Sequence, residues 1–182
     1  MFNVSTLTRA PLFVIAGPCV IESADLCLAI GRHVKGVCEK LGLAYVFKAS
    51  FDKANRSSNA SFRGPGLTDG LVVLDRTKKE LGVPVLTDIH EPEQAAPAAK
   101  VVDVLQVPAF LARQTDLLLA CGRTGRIVNV KKGQFMSPQE MALAVEKVRS
   151  CGNDNVMLTE RGTFFGYNRL VNDFTSDRKS VV

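Results

Sequence analysis

Six short apolar runs separated by helix-like stretches predict an α/β fold with parallel strands. A functional-looking side chain at the C-terminal end of every run points to a (β/α)8 TIM barrel, because an open doubly wound sheet gathers its ligands at one switch point. A third observation qualifies the first two. Such a barrel takes roughly 250 residues, and 182 residues offer strands for about six of the eight β/α units. The prediction is therefore an incomplete barrel.

Strands are expected at residues 12–16, 44–47, 83–89, 102–107, 126–130 and 156–159, each rich in Val, Ile, Leu or Phe. Helices are expected at 24–41, 67–81, 91–100, 114–121 and 138–150. In the first, Ile30, Val34, Val37 and Leu41 recur at helical spacing. The last opens on Ser137-Pro138-Gln139-Glu140, with serine at the cap and proline in the first position. Gly42, Gly82, Gly122 and Gly152 fall where helices should stop.

Side chains alternate across a strand, so each run sorts its residues onto two faces. One face carries Ile15, Gly17 and Cys19; then Val46, Lys48 and Ser50; then Leu86, Asp88 and His90. It continues with Val104, Gln106, Pro108 and Phe110, then Asn129 and Lys131, then Met157, Thr159 and Arg161. The absence of a GxGxxG motif also argues against a dinucleotide-binding open sheet.

Composition narrows the function classes. At 46% hydrophobic and 23% charged, the chain has the make-up of an ordinary globular protein. No apolar run approaches the ~20 residues that cross a bilayer, and the first nine residues lack the pattern of a signal peptide. Five cysteines without a CxxC pair suit a reducing cytoplasm. The net charge of +5 leaves nucleic-acid binding open, but without basic runs interleaved with aromatics small anionic ligands explain it as well.

The stretch Lys48-Ala49-Ser50-Phe51-Asp52-Lys53-Ala54-Asn55-Arg56-Ser57-Ser58 concentrates cations and hydrogen-bonding groups at the end of the second strand. Lys48 stands within the alternation, where an ammonium needs an anionic partner. Such a strand end is suited to phosphate or carboxylate. Elsewhere plainer readings prevail. Cys27, Cys38 and Cys121 read as core residues, Cys151 as incidental, His33 as solvent-facing and Phe164-Phe165 as packing. Lys78-Lys79, Lys131-Lys132 and Arg178-Lys179 read as solvated pairs, with only Lys131 claiming a site by its face. His90 shares a strand end with Asp88 and reads as functional.

Seven blocks then stand in a familiar order. They are Ala16-Gly17-Pro18-Cys19-Val20-Ile21-Glu22-Ser23, Phe47 through Ser58, Arg63-Gly64-Pro65-Gly66-Leu67, and Leu86-Thr87-Asp88-Ile89-His90-Glu91. The rest are Gln106-Val107-Pro108-Ala109-Phe110-Leu111-Ala112-Arg113-Gln114-Thr115-Asp116, Asn129-Val130-Lys131-Lys132 and Thr159-Glu160-Arg161-Gly162. With them the chain resembles the KDO-8-phosphate synthases, neighbours of the DAHP synthases, over residues 13–171.

The resemblance implies a transferase of lipopolysaccharide (KDO) biosynthesis that condenses phosphoenolpyruvate with D-arabinose 5-phosphate and water. It implies catalytic roles for Lys53, Asp88, Lys131 and Arg161. Lys53, Lys131 and Arg161 would bind phosphoenolpyruvate, with Lys48, Ser50, Gln106 and Phe110 nearby. Asn55, Arg56 and Ser57 would hold the arabinose 5-phosphate, and Asp88 the sugar or the reacting water. Cysteine rather than asparagine at Cys19 implies the class that uses a divalent metal ion. Its other ligands (a histidine, a glutamate and an aspartate) come from the last two strands, so this chain is expected to hold the ion weakly or not at all. The family also implies a cytoplasmic homotetramer, with no nucleic-acid or membrane partner.

Residues 1–171 are thus expected to be the N-terminal part of a single TIM-barrel domain, and 172–182 a divergent polar tail. Two alternatives accompany this reading: an inactive truncated fragment of such an enzyme, and a DAHP synthase-type enzyme using erythrose 4-phosphate. The run Lys53-Ala54-Asn55-Arg56-Ser57-Ser58 argues against the latter.

Overall fold

A computed structural model describes residues 3–9 and 12–164. The tail at 172–182, the end of the expected domain at 165–171, Phe165 and the Arg178-Lys179 pair lie outside the described residues. The six strands are β1 (Phe13–Ala16), β2 (Ala44–Lys48), β3 (Val85–Asp88), β4 (Val104–Val107), β5 (Ile127–Lys131) and β6 (Val156–Thr159). They alternate with α2 (Ala24–Leu41), α3 (Leu67–Leu81), α4 (Pro92–Ala99), α5 (Thr115–Gly122) and α6 (Met141–Arg149), after a short α1 (Val4–Leu7). Parallel strands in the order β1-β2-β3-β4-β5-β6 are those of an incomplete (β/α)8 barrel. Among the described residues no helix is long and apolar enough to cross a membrane.

The chain divides into two compact units, Met1–Asp88 with Pro97–Val104, and Ile89–Ala96 with Leu105–Val182. In the first, Ile15 pairs with Val46 and Lys48 with Leu86, so the alternation expected from sequence is the observed register. Helix α2 starts where Ser23 accepts a hydrogen bond from the Leu26 amide, and it ends on Gly42 at φ 66°. Helix α3 ends likewise on Gly82 at φ 64°. Phe47, Leu74 and Leu81 are fully buried in the core. Lys78 is not a solvated charge: it donates to Asp103 Oδ1 at 2.7 Å, while Asp103 Oδ2 accepts from the Val85 amide at 3.0 Å.

In the second unit Asn129 pairs with Met157 and Lys131 with Thr159. Two details depart from expectation. The helix expected over 138–150 is divided into a 3-10 turn, Pro138–Glu140, and then α6. Ser137 is the cap, as expected, and the cap is reciprocal: Ser137 Oγ accepts from the Glu140 amide and Glu140 Oε2 from the Ser137 amide. Gly122 does not stop α5 in a left-handed conformation. Instead Asn153 Nδ2 donates to the Gly122 carbonyl at the helix end and to the Arg126 carbonyl just before β5, at 3.1 and 2.8 Å.

Candidate functional site

The first unit gathers its chemistry at the C-terminal ends of β1, β2 and β3. Lys48, the last residue of β2, sends its ammonium to Asp88 Oδ2 at 3.3 Å and to Ser50 Oγ at 2.9 Å. Lys53 reaches the same carboxylate oxygen at 3.6 Å. Ser50, fully buried, donates its hydroxyl to Asp88 Oδ2. One carboxylate therefore serves two ammoniums and a hydroxyl. Its side chain is 8% exposed, and those of Lys48 and Lys53 are 14% and 15% exposed. Partners this close are what let three charges remain at such depth.

The lysines are not equivalent. Burial, partly offset by Asp88 and reinforced by the Lys53 charge, pushes Lys48 down to about 8. Burial opposes Lys53 as well, but Asp88 and hydrogen bonds with Cys19 and Lys48 hold it above its ordinary value. Lys53 is thus the persistent cation. The Cys19 thiol is exposed; burial would raise it, yet the Lys53 hydrogen bond and the charges of Lys53, Lys48 and Arg56 bring it below the usual value.

Backbone contacts set these positions. A Cβ on Gly17 would lie 2.0 Å from the Lys48 carbonyl oxygen, so only glycine lets the turn carrying Cys19 pass the end of β2. The Cys19 carbonyl then accepts from the Ser50 amide at 3.2 Å and from Lys48 Nζ at 3.2 Å. Beyond Ser50, Arg63 grips Asp52 with two parallel bonds at 2.8 and 2.6 Å, and its carbonyl accepts from the Lys53 amide at 2.7 Å. Gly64, at φ 121°, brings its backbone against the Phe51 carbonyl. Asn55, Arg56 and Ser57 lie on the exposed turn between Lys53 and Arg63. There Arg56 Nε donates to the Phe62 carbonyl at 3.3 Å, and Arg56 lines an open cavity of about 590 Å³ with Val20, Glu22, Ser61 and Phe62.

The second unit presents a different set. Gln106 on β4 is buried, and its Oε1 accepts from Asn129 Nδ2 at 2.9 Å; Thr159 Oγ1 donates to Asn129 Oδ1 at 2.9 Å. This ladder crosses β4, β5 and β6 and holds the Gln106 amide in one orientation. Lys131, at the end of β5, is half-buried, and Arg161, just past β6, is exposed. Neither has an ion pair among the described residues. Phe110 lies in a 3-10 turn, Ala109–Leu111, and is 54% exposed. The His90 amide donates to Gln94 Oε1 at 2.9 Å.

The structure therefore brings together Cys19, Lys48, Ser50, Lys53 and Asp88 in one cluster, and places Gln106, Phe110, Lys131 and Arg161 in the other unit. Sequence reading missed Asn129 as the partner of Gln106, although alternation had put it on the right face. It also missed Lys132, read as a solvated charge but fully buried. The one available signal was its opposite parity to Lys131, which turns it off the ligand-facing side.

A metal ion at Cys19 does not fit the described residues. No group of three or more His, Cys, Asp or Glu side chains among them could hold one. The nearest charged neighbours of the thiol are cations, and a lysine hydrogen bond already occupies it. No step is therefore assigned to a metal.

Residues 4–180 match the family model described as the DAHP synthetase I family. Among curated proteins, the chain is 59% identical over 166 residues to a 2-dehydro-3-deoxyphosphooctonate aldolase of Cyanothece sp. (strain PCC 7425 / ATCC 29141), covering 91% of this chain and 61% of that protein. It is 60% identical to the Synechococcus sp. protein of the same name (91% and 58%), and 55% identical to that of Desulfatibacillum aliphaticivorans (94% and 63%). The chain spans about 60% of the length of these relatives. Strand order, lysine-bearing strand ends and a match running almost the whole length agree on one assignment: the chain belongs to the DAHP synthetase I family.

Proposed function

We propose that this chain carries the substrate-binding part of an enzyme that condenses phosphoenolpyruvate with arabinose 5-phosphate and water, releasing phosphate and a 3-deoxy-octulosonate 8-phosphate. The observation that carries the reading is the Lys48–Ser50–Lys53–Asp88 cluster at the ends of β2 and β3. The names of its relatives, 2-dehydro-3-deoxyphosphooctonate aldolases, support it.

In this reaction C3 of the enol attacks the aldehyde carbon, forming the new C–C bond. Water adds at C2, and phosphate leaves with its bridging oxygen as the C2–O bond breaks, so the ketone oxygen comes from the water. The water gives up both protons, one to the former aldehyde oxygen and one to the leaving phosphate. Two phosphates and a carboxylate must be held close together, which requires several fixed cations. Lys53, Lys131 and Arg161 are assigned to phosphoenolpyruvate, with Lys48, Ser50, Gln106 and Phe110 beside it. Lys131 and Arg161 lack ion-pair partners among the described residues and so suit an anionic ligand. Asn55, Arg56 and Ser57 are assigned to the sugar phosphate, for which a guanidinium offers two parallel hydrogen bonds. Asp88 orients the sugar or the attacking water. A cytoplasmic setting and a homo-oligomer complete the reading.

The test is equilibrium binding of phosphoenolpyruvate, arabinose 5-phosphate and erythrose 4-phosphate to the purified chain. Phosphoenolpyruvate and arabinose 5-phosphate should bind saturably, with erythrose 4-phosphate at least tenfold weaker. Equal affinity for the two aldose phosphates would move the assignment to a DAHP synthase-type enzyme. No binding of phosphoenolpyruvate to the folded chain would overturn it. The chain's span of about 60% of its relatives favours a second reading, a fragment that binds without turnover. Phosphate release on mixing both substrates separates the two readings: turnover near that of a full-length relative would exclude the fragment.

A further inference from the structure

Lys132 follows Lys131 in the chain and behaves as its opposite. It is fully buried, yet among the described residues its one ion pair is a long one, with Glu160 Oε1 at 3.4 Å. The rest of its ammonium is satisfied by main-chain carbonyls: Gly162 at 3.0 Å, Met136 at 3.3 Å and Gly133 at 3.4 Å. An ammonium with three donors meets three carbonyls and one carboxylate oxygen, so its hydrogen-bonding capacity is fully used. Nothing in that shell is a ligand-facing group.

The shell connects two segments that carry ligand-binding candidates. Gly133 and Met136 belong to the turn that leaves β5 directly after Lys131, and Glu160 and Gly162 flank Arg161. Glu160 fastens its own segment as well, since Oε1 accepts from the Arg161 amide at 3.0 Å and the Gly162 amide at 2.6 Å. Gly162 takes φ 80°, a left-handed conformation that favours glycine, immediately after Arg161. The Phe164 amide donates to the Gln134 carbonyl at 3.2 Å, a second tie between the same two segments. The Lys132 amide donates to the Thr159 carbonyl at 2.9 Å, so the knot begins where the β5–β6 ladder ends.

The geometry points to Lys132 as a positioning residue that locks the backbones carrying Lys131 and Arg161 into one arrangement. Its effect on ligand binding rests on the phosphoenolpyruvate reading given above, whereas the tie itself does not. Lys132 touches no substrate. It acts by making two cations, one half-buried and one exposed, hold their spacing before an anion arrives, which removes part of the ordering cost of binding.

Amide hydrogen exchange on the purified chain, combined with phosphoenolpyruvate titration, tests this in Lys132→Met, Lys132→Arg and Glu160→Gln. In Lys132→Met, protection of the Met136, Arg161, Gly162 and Phe164 amides should fall tenfold or more. The Val128 and Lys132 amides in the strand ladder should keep theirs. A merely structural contribution would lower all of these together. Phosphoenolpyruvate affinity should fall at least tenfold, Lys132→Arg should recover part of it, and Glu160→Gln should lose two- to threefold. If Lys132→Met does not fold, Glu160→Gln carries the same two readouts. Unchanged local protection in a folded variant, or unchanged affinity, would overturn the proposal. If the wild type itself fails to bind phosphoenolpyruvate while local protection still falls, the tie stands and the ligand assignment of Lys131 and Arg161 is what fails.

Discussion

The two units solve the problem of placing cations at strand ends in opposite ways. In the first, Lys48 and Lys53 share a buried carboxylate and are held by it. In the second, Lys131 and Arg161 have no ion pair among the described residues, and the charge beneath them, Lys132, is pinned chiefly by carbonyls. The carboxylate raises both lysines, yet burial still pushes Lys48 down to about 8, while Lys53 stays above its ordinary value. Carbonyls fix geometry and leave the positive charge undiminished. The first cluster thus sets one carboxylate against two ammoniums, whereas Lys131 and Arg161 have no ion pair among the described residues.

The largest break of this comparison is Asp88→Ala. It strands two buried ammoniums, and urea denaturation should show a loss of about 3–5 kcal/mol. A loss below about 1 kcal/mol would mean that solvent, not Asp88, balances the lysines. Lys132→Met should cost about 3 kcal/mol by the same measurement, because Glu160 keeps some exposure and the carbonyls lose their donor. Gly17→Ala tests the backbone rather than the charges. Placing a methyl 2.0 Å from the Lys48 carbonyl should cost about 1–3 kcal/mol and shift the amide resonances of Cys19 and Ser50. An exposed pair supplies the contrast. Lys79→Ala, which removes the 2.6 Å contact with Asp75, should change stability by less than about 0.5 kcal/mol.

Thiol chemistry sharpens the same map without changing the sequence. Cys27 and Cys121 are fully buried, and burial raises their thiols to about 11 and about 12. Cys19 is exposed. Alkylation of the folded chain followed by peptide mass analysis should label Cys19 first and leave Cys27 and Cys121 unlabelled until denaturant is added. Early labelling of Cys121 would contradict the burial of that thiol on α5.

Much of this was legible in the chain. Alternation placed Lys48, Asp88, Gln106 and Lys131 on one face, because a parallel strand has only two faces and side chains at paired positions share them. Helix ends at Gly42 and Gly82 were readable because αL residues favour glycine. Gly122 does end α5, but not in the αL conformation: its carbonyl is held by a distant side chain, Asn153, which local sequence does not reveal. Lys132 misled for a related reason. Parity separates Lys132 from Lys131, but the carbonyls and the Glu160 carboxylate that hold a buried ammonium come from two segments that local sequence does not connect. Gly17 was quoted as part of a motif, but its steric necessity arises from the β2 backbone, thirty-one residues away at Lys48.

We propose that Lys53 and Lys131 each contribute to phosphoenolpyruvate binding. The most direct measurement is a calorimetric titration of phosphoenolpyruvate into the folded chain, beside Lys53→Met and Lys131→Met variants checked for fold by circular dichroism. We predict saturable one-to-one binding by the wild type, weakened at least tenfold in each variant. Wild-type affinity retained in both folded variants, or no saturable heat with the wild type, would contradict the account.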